Sequence, residues 1–253
     1  MVTLLGCRFG RPSRLKLVRA FKNRYGITLY NVNHYKRDLR DTDVLIRWGS
    51  INRFPLKAGA IELNSATSIE LGCNKLESRA ALQAAGVSVP KSYFSKGEAL
   101  SSDVKYPLFG RPAYHTQGKV VEFIKNRKDL LNSVTSEYFS EFIQKDREFR
   151  VYVFGDKCIG IIEKIPENKN DITWNSHRGA TFYDLNNEDY CASPIVYEAI
   201  RAAKVIGQYF SGVDVMTCND ISYVIELNSS VALSNRRRLN VFVEAFKNII
   251  DQI

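Results

Sequence analysis

The stretch GVDVMTCNDISYVIELNSS, Gly212 to Ser230, decides how this chain is read. Two short apolar runs flank a polar centre, which is the pattern of two strands joined by a turn. Yet Asp214, Glu226 and Asn228 stand among residues that otherwise favour burial. Alternate residues of a strand share a face, so Glu226, Asn228 and Val224 are expected on one side and Ile225 and Leu227 on the other. For Asp214 to lie opposite Glu226, the connection must be a three-residue loop, Asn219–Ile221, or an equivalent bulge near it. Two carboxylates that close repel unless a cation lies between them. Mg²⁺ suits such oxygen donors, and commonly takes one or two carboxylates plus substrate phosphates. The competing interpretation is a surface hairpin with exposed acids, which fits poorly with the apolar flanks.

Outward from the hairpin, Ser193–Phe210 reads as an amphipathic helix and Arg238–Ile250 as a closing one. Upstream, SEYFSEFI (Ser136–Ile143) and EFRVYVFGDKCIGIIEK (Glu148–Lys164) predict three strands, the last two joined by a turn at GDK. Pro166–Asn187 is polar and aperiodic and predicts a long loop. YPLFGRP (Tyr106–Pro112) predicts a strand that breaks into a polar loop and a further strand. In NKLESRAALQAAGVSVP (Asn74–Pro90), Asn74 and Glu77 have the spacing of a capping box, and Gly86 and Pro90 end the helix. VTLLG, ITLYNV and DVLIRWG predict short strands around a basic helix over Pro12–Tyr25, a small parallel α/β unit.

Composition narrows the class. No apolar run approaches the ~20 residues of a membrane helix, and the N-terminus lacks a signal-peptide pattern. Five scattered cysteines, none at metal or redox spacing, suit reduced thiols in a cytoplasmic protein. Residues 1–40 hold ten Lys or Arg against one acid, Asp38, so they carry the entire net charge of +9. The basic segment 8–24 suits either contact with a polyanion or a solvated helix face, and no aromatic interleaving accompanies it.

Three further constellations bear on chemistry. In FGRPAYHTQGKV, Arg111 ends a strand, and the loop with Gln117 and Gly118 can lie over phosphates. Glu148 and Arg150 lie two apart, on one face of a strand, and suit a ribose-binding acid beside a phosphate-binding guanidinium or an ordinary ion pair. In WNSHRGATF, Asn175, His177 and Arg178 supply donors for a phosphate or a charged intermediate.

The order of these motifs resembles the ATP-grasp superfamily, most closely carboxylate–amine ligases of the RimK type, over about residues 73–235. RWGS at Arg47–Ser50 is also similar to ATP-grasp proteins of bacteriophages. The resemblance implies an ATP-grasp fold, α/β and α+β, with an N-terminal pre-ATP-grasp domain (1–72), a small subdomain with a flap (73–143) and a large subdomain with the metal site (144–253). It implies Lys75 as the first ATP-contacting lysine and Arg111 in place of a second. It makes Gln117 and Gly118 part of a glycine-poor flap, Glu141, Phe142 and Ile143 the adenine hinge, and Glu148 the ribose acid. Lys164 would reach the nucleotide, and Arg111, Arg150, Asn175, His177 and Arg178 would act at the reacting phosphate. Asp214, Glu226 and Asn228 would bind Mg²⁺ or Mn²⁺. After Asn228 the chain reads NSSVALSNRRR, without the family's Pro and Gly, so substrate identity transfers least. The implied partners are ATP, a carboxylate and an amine, from an amino acid, peptide or protein tail. A non-catalytic nucleotide- or nucleic-acid-binding protein on the same fold is the alternative, suggested by Arg111 and the flap.

Overall fold

The computed structural model describes residues 1–7, 11–32, 39–114, 121–168, 171–174 and 179–252. β1 (Val2–Gly6), α1 (Arg11–Tyr25), β2 (Tyr30–Val32), β3 (Val44–Trp48) and β4 (Ile61–Leu63) build a parallel sheet in the order β2-β1-β3-β4. Helices α2 (Ala66–Cys73) and α3 (Lys75–Ala84) follow. A second sheet, β5-β8-β6-β7, is antiparallel, with β5 (Ser92–Tyr93), β6 (Leu108–Arg111), β7 (Glu122–Ile124) and β8 (Tyr138–Glu141). It carries α4 (Lys96–Ser101) and α5 (Arg127–Asn132). The third sheet, β11-β10-β9-β12-β13, is antiparallel throughout. Its strands are β9 (Arg147–Phe154), β10 (Lys157–Ile165), β11 (Thr181–Asp184), β12 (Phe210–Cys218) and β13 (Ile221–Asn228), with α6 (Pro194–Ile206) and α7 (Arg236–Ile250). Among the described residues, no helix is long and apolar enough to cross a membrane.

Several sequence expectations shift. The Pro166–Asn187 segment is not all loop, because Thr181–Asp184 adds a short edge strand to β10. Four residues are too few for alternation to stand out. The helix expected over Ser193–Phe210 stops at Ile206. Ser193 caps it by accepting from the Val196 N–H, and Gly207, at φ +76°, supplies the left-handed turn that ends it. Asn74 ends α2, its N–H bonded to the Glu70 carbonyl, and also begins α3, its side chain accepting from the Glu77 N–H. Its N–H is thereby taken, and the reciprocal half of the capping box does not form. Part of the basic N-terminal charge is structural. Arg14 is 1% exposed and donates to the Asn31 amide oxygen at 2.6 Å and to the Val32 and Cys7 carbonyls. Arg8 lies outside the described residues.

The hairpin departs from expectation in an instructive way. Its turn has two residues, Asn219 and Asp220, both at positive φ (48° and 63°), as a tight hairpin between right-twisted strands requires. Continued unbroken, that register would set Asp214 opposite Ile225. Instead Val215 pairs with Val224 and Asp214 pairs with Glu226, so Ile225 is an extra, bulged residue. The bulge sits beside the acid rather than at the turn. It also reverses the expected facing of Val224, which is fully buried on the opposite side from Glu226.

The third sheet therefore has two different faces. One packs Val151, Val153, Val213, Val215, Val224 and Leu227 against Ile195, Val196, Ala199, Ala202, Ala203 and Ile206 of α6. The other is divided along its length. At one end Tyr152, Phe154 and Phe210 meet Phe242 and Phe246 of α7 and Trp48 of β3. At the other end the same alternation along β9, β10 and β12 delivers Glu148, Arg150, Lys164 and Asp214.

Candidate active site

The charged half of this face is a network of cross-strand neighbours. Arg150 pairs with Asp214 in register, and Lys164 with Glu148. Arg150 holds Asp214 with two parallel bonds, Nε to Oδ1 at 2.6 Å and Nη2 to Oδ2 at 2.8 Å, the bidentate geometry that suits guanidinium and carboxylate. Lys164 Nζ bridges Asp214 Oδ2 (2.7 Å) and Glu148 Oε1 (2.6 Å), and Lys145 pairs with the second Glu148 oxygen. Asp214, Glu148 and Lys164 are all buried. Burial alone would push Asp214 and Lys164 toward their neutral forms. For Asp214 the opposing charges of Arg150 and Lys164 outweigh burial and hold its carboxyl well below the usual range. For Lys164, Asp214 and Glu148 likewise outweigh burial and raise the ammonium. Lys145 is the exception: burial prevails over Glu148, and its pKa falls. Sequence reading missed Lys145, which also lies 4.4 Å from the centre of the Trp174 ring; its place three residues before Glu148 was the available signal.

This network gives a pH dependence with a definite sign. An unfolded Asp214 titrates near 3.8, and the folded pKa is lower. The stability it contributes is complete above about pH 4 and is lost as pH falls through the folded value. Asp214→Asn should lower stability at neutral pH and flatten its further decline between about pH 4 and pH 2, measured as urea midpoints across that range. An unchanged acid slope would contradict the assignment.

Beside the network, Glu226 lies opposite Asp214 and Asn228 opposite Gly212. The Asn228 amide donates to Glu226 Oε1 at 3.2 Å and to the Gly212 carbonyl at 3.4 Å. Glu226 is more open than Asp214, its side chain 32% exposed against 5%. Its nearest cation is Lys75 Nζ at 3.6 Å. Desolvation raises the Glu226 pKa, but Lys75 and the other cations bring the net shift downward. Lys75 stands at the start of α3, where its N–H bonds the Ala113 carbonyl and its Nζ the Gly72 carbonyl at 3.2 Å.

The second sheet supplies the remaining described candidates. Arg111 donates to Ser140 Oγ at 3.0 Å and lies 4.9 Å from the Phe109 ring centre. The Glu141 N–H bonds the Lys91 carbonyl and the Phe142 N–H the Pro107 carbonyl. Tyr93 Oη donates to the Glu141 carboxylate at 3.1 Å, and burial followed by that carboxylate raises the phenol to about 12. The Phe142 ring meets Phe109 and Phe123 edge-on, with Ile143 half-buried next to it. Gln117 and Gly118 of the flap, and Asn175, His177 and Arg178, lie outside the described residues.

Residues 72–253 match the RimK-like ATP-grasp domain. The alpha-aminoadipate–LysW ligase LysX of Saccharolobus solfataricus is 26% identical over 226 residues, covering 80% of each chain. A probable alpha-L-glutamate ligase of Shewanella denitrificans is 28% identical over 193 residues, 69% of this chain and 62% of that one. Among solved structures, the ATP-grasp ligase PsnB complexed with a minimal precursor superposes with a TM-score of 0.71 at 16% identity, covering 100% of this chain and 99% of that one. D-alanine–D-alanine ligase from Bacillus anthracis gives 0.65 at 14% identity, over 99% and 96%. At such identities the superpositions speak for the shared fold.

Proposed function

This chain belongs to the RimK-like ATP-grasp family, and from that premise we propose that it is an ATP-dependent carboxylate–amine ligase whose centre is the hairpin β12–β13. The observation that carries the reading is the register of that hairpin: a bulge sets Glu226 against Asp214 on the face that also holds Lys164 and Arg150.

The residues fit a magnesium or manganese ion. Asp214, Glu226 and Asn228 offer carboxylate and amide oxygens on one face, and phosphate oxygens or water would complete the set. No three His, Cys, Asp or Glu side chains cluster as a metal site among the described residues. The ion would neutralise phosphate charge. The remaining steps fall to the chain. Lys75, Arg111 and Lys164 would hold phosphates, Glu148 the ribose, and Glu141–Ile143 the adenine. The Glu141 and Phe142 N–H groups are already bonded within the protein, so adenine contact falls to the carbonyls and to Ile143. Gln117 and Gly118 would cover the phosphates and exclude water. A substrate carboxylate oxygen attacks the γ-phosphorus and the bond to the β-phosphate oxygen breaks, releasing ADP. An amine then attacks the acyl carbon, forming the C–N bond, and phosphate leaves. Arg150, Asn175, His177 and Arg178 would stabilise the charge that develops.

For the acceptor we favour an amino acid, peptide or protein tail, as the names of the LysX and PsnB relatives suggest. The divisions at 72/73 and 143/144, the cytoplasm as the place of action and a phage-type affinity belong to the same proposal. So does polyanion contact through exposed Arg11, Arg19 and Lys22 of α1. The test is ADP release with Mg²⁺-ATP, glutamate or aminoadipate and peptide-rich extract, with mass spectrometry for new amide adducts. Turnover with an adduct supports the ligase. ATP binding without ADP release under every acceptor overturns it in favour of a non-catalytic nucleotide-binding protein.

A further inference from the structure

Arg79 is 5% exposed, and among the described residues it forms no salt bridge. A buried guanidinium without a carboxylate is costly unless its donors are satisfied. Here they go to two backbone oxygens, Nη1 to the Val224 carbonyl at 2.9 Å and Nη2 to the Ile225 carbonyl at 2.7 Å. Those residues are the bulge and its predecessor on β13. Burial lowers the Arg79 pKa to about 10, which leaves the group charged at neutral pH.

The surroundings explain why such a residue belongs there. β13 is the edge strand of its sheet, so its outer backbone groups need partners from elsewhere. Ser88 supplies some: its carbonyl accepts from the Val224 N–H at 2.8 Å and its hydroxyl donates to the Ser222 carbonyl at 2.5 Å. Arg79 supplies the pair at the bulge. A bulged strand has an alternative, unbulged register in which every side chain beyond the slip changes face. Without the bulge, Asp214 would face Ile225 and Glu226 would turn away. Arg79 also stands one turn after Lys75 on α3, on the same helix face. Lys75 reaches the Glu226 carboxylate and Arg79 the backbone just before it.

We propose that Arg79 is a positioning residue for the metal centre: its two bonds to the Val224 and Ile225 carbonyls fix the bulge that turns Glu226 toward Asp214. The inference rests on the metal-site reading above. It ties the α3 helix, which carries a nucleotide-contacting lysine, to the geometry of an acid two strands from the sheet's centre. Arg79 acts through the β13 backbone, by its bonds to the Val224 and Ile225 carbonyls.

The test is a double-mutant cycle read as Mn²⁺ affinity by electron paramagnetic resonance, in the full chain with ATP present. Glu226→Gln should weaken Mn²⁺ binding. If it and Asp214→Asn leave affinity unchanged, the metal-site reading fails and the positioning role of Arg79 is overturned with it. Given that loss, Arg79→Met should weaken Mn²⁺ about tenfold, as changes behind a metal ligand do. Combined with Glu226→Gln it should add little further loss. Arg79→Lys, which keeps the charge and one donor at a time, should recover part of the affinity; it also serves the cycle if Arg79→Met does not fold. Hydrogen exchange at Ile225 and Glu226 should rise in both. Wild-type Mn²⁺ affinity in a folded Arg79 variant, or full additivity with Glu226→Gln, overturns the proposal and leaves Arg79 a purely structural residue.

Discussion

Glu226→Ala should reduce ATP turnover by about 10²–10³-fold, the order seen when a single charge-stabilising group is removed, while leaving the melting temperature near that of the native protein. Asp214→Ala should abolish turnover and cost stability as well. The difference follows from burial. Glu226 is partly open, and its nearest cation, Lys75, stands 3.6 Å away with a second oxygen partner in the Gly72 carbonyl. Its loss strands nothing in the interior. Asp214 is 3% exposed and answers both Arg150 and Lys164. Its removal leaves two cations facing each other in a buried site, and breaking a buried pair in this way costs about 3–5 kcal/mol. Glu226→Ala is therefore the cleaner probe. Coupled measurement of ADP release and thermal unfolding separates the two effects. Native turnover in Glu226→Ala at saturating Mg²⁺ would remove this carboxylate from the chemistry.

Which candidate residues share a face was readable from the chain alone, because two-residue spacing is a strong constraint. Glu148 with Arg150, and Glu226 with Asn228, share faces whatever the tertiary fold, and the apolar residues between them demand a covered opposite side. The N-terminal α/β unit was legible from the periodicity of its runs, whereas the ATP-grasp fold was implied only by the order of motifs that resemble that family. What escaped was non-local. The turn itself is an ordinary two-residue hairpin, and nothing in NDI announces that the parity correction lies at Ile225 instead. The bulge is held from outside, by Arg79 and Ser88, whose sequence separation from β13 exceeds 130 residues. Val224 was assigned to the wrong face for the same reason. Arg14 looked like surface charge because a helix pattern does not reveal which cation will be drawn inward to brace the ends of neighbouring strands. Lys145 precedes its strand, so alternation never reached it.

Trp48→Ala should lower stability by about 3–5 kcal/mol, the usual range for removing a large buried aromatic, and by more than any other single truncation in the parallel sheet. Trp48 is fully buried at the end of β3. It stacks on Phe210 of β12 at 5.3 Å between ring centres and meets Phe242 of α7 edge-on at 5.7 Å. Phe154 and Phe246 continue the cluster. These rings join four elements, β3, β9, β12 and α7, so the cavity left by alanine cannot close by a local shift of one strand. Phe123→Ala on β7 is the control: the residue is 40% exposed, and its loss should cost about 1 kcal/mol or less. Urea unfolding of both variants measures the contrast. The consequence reaches the site, because the face that holds Trp48 through Phe210 is the face that presents Asp214 four residues later on β12. A Trp48→Ala cost as small as that of Phe123→Ala would mean that the parallel sheet is anchored elsewhere. A loss of Mn²⁺ affinity larger than the fraction unfolded would mean that the aromatic end of the sheet also sets the geometry of its charged end.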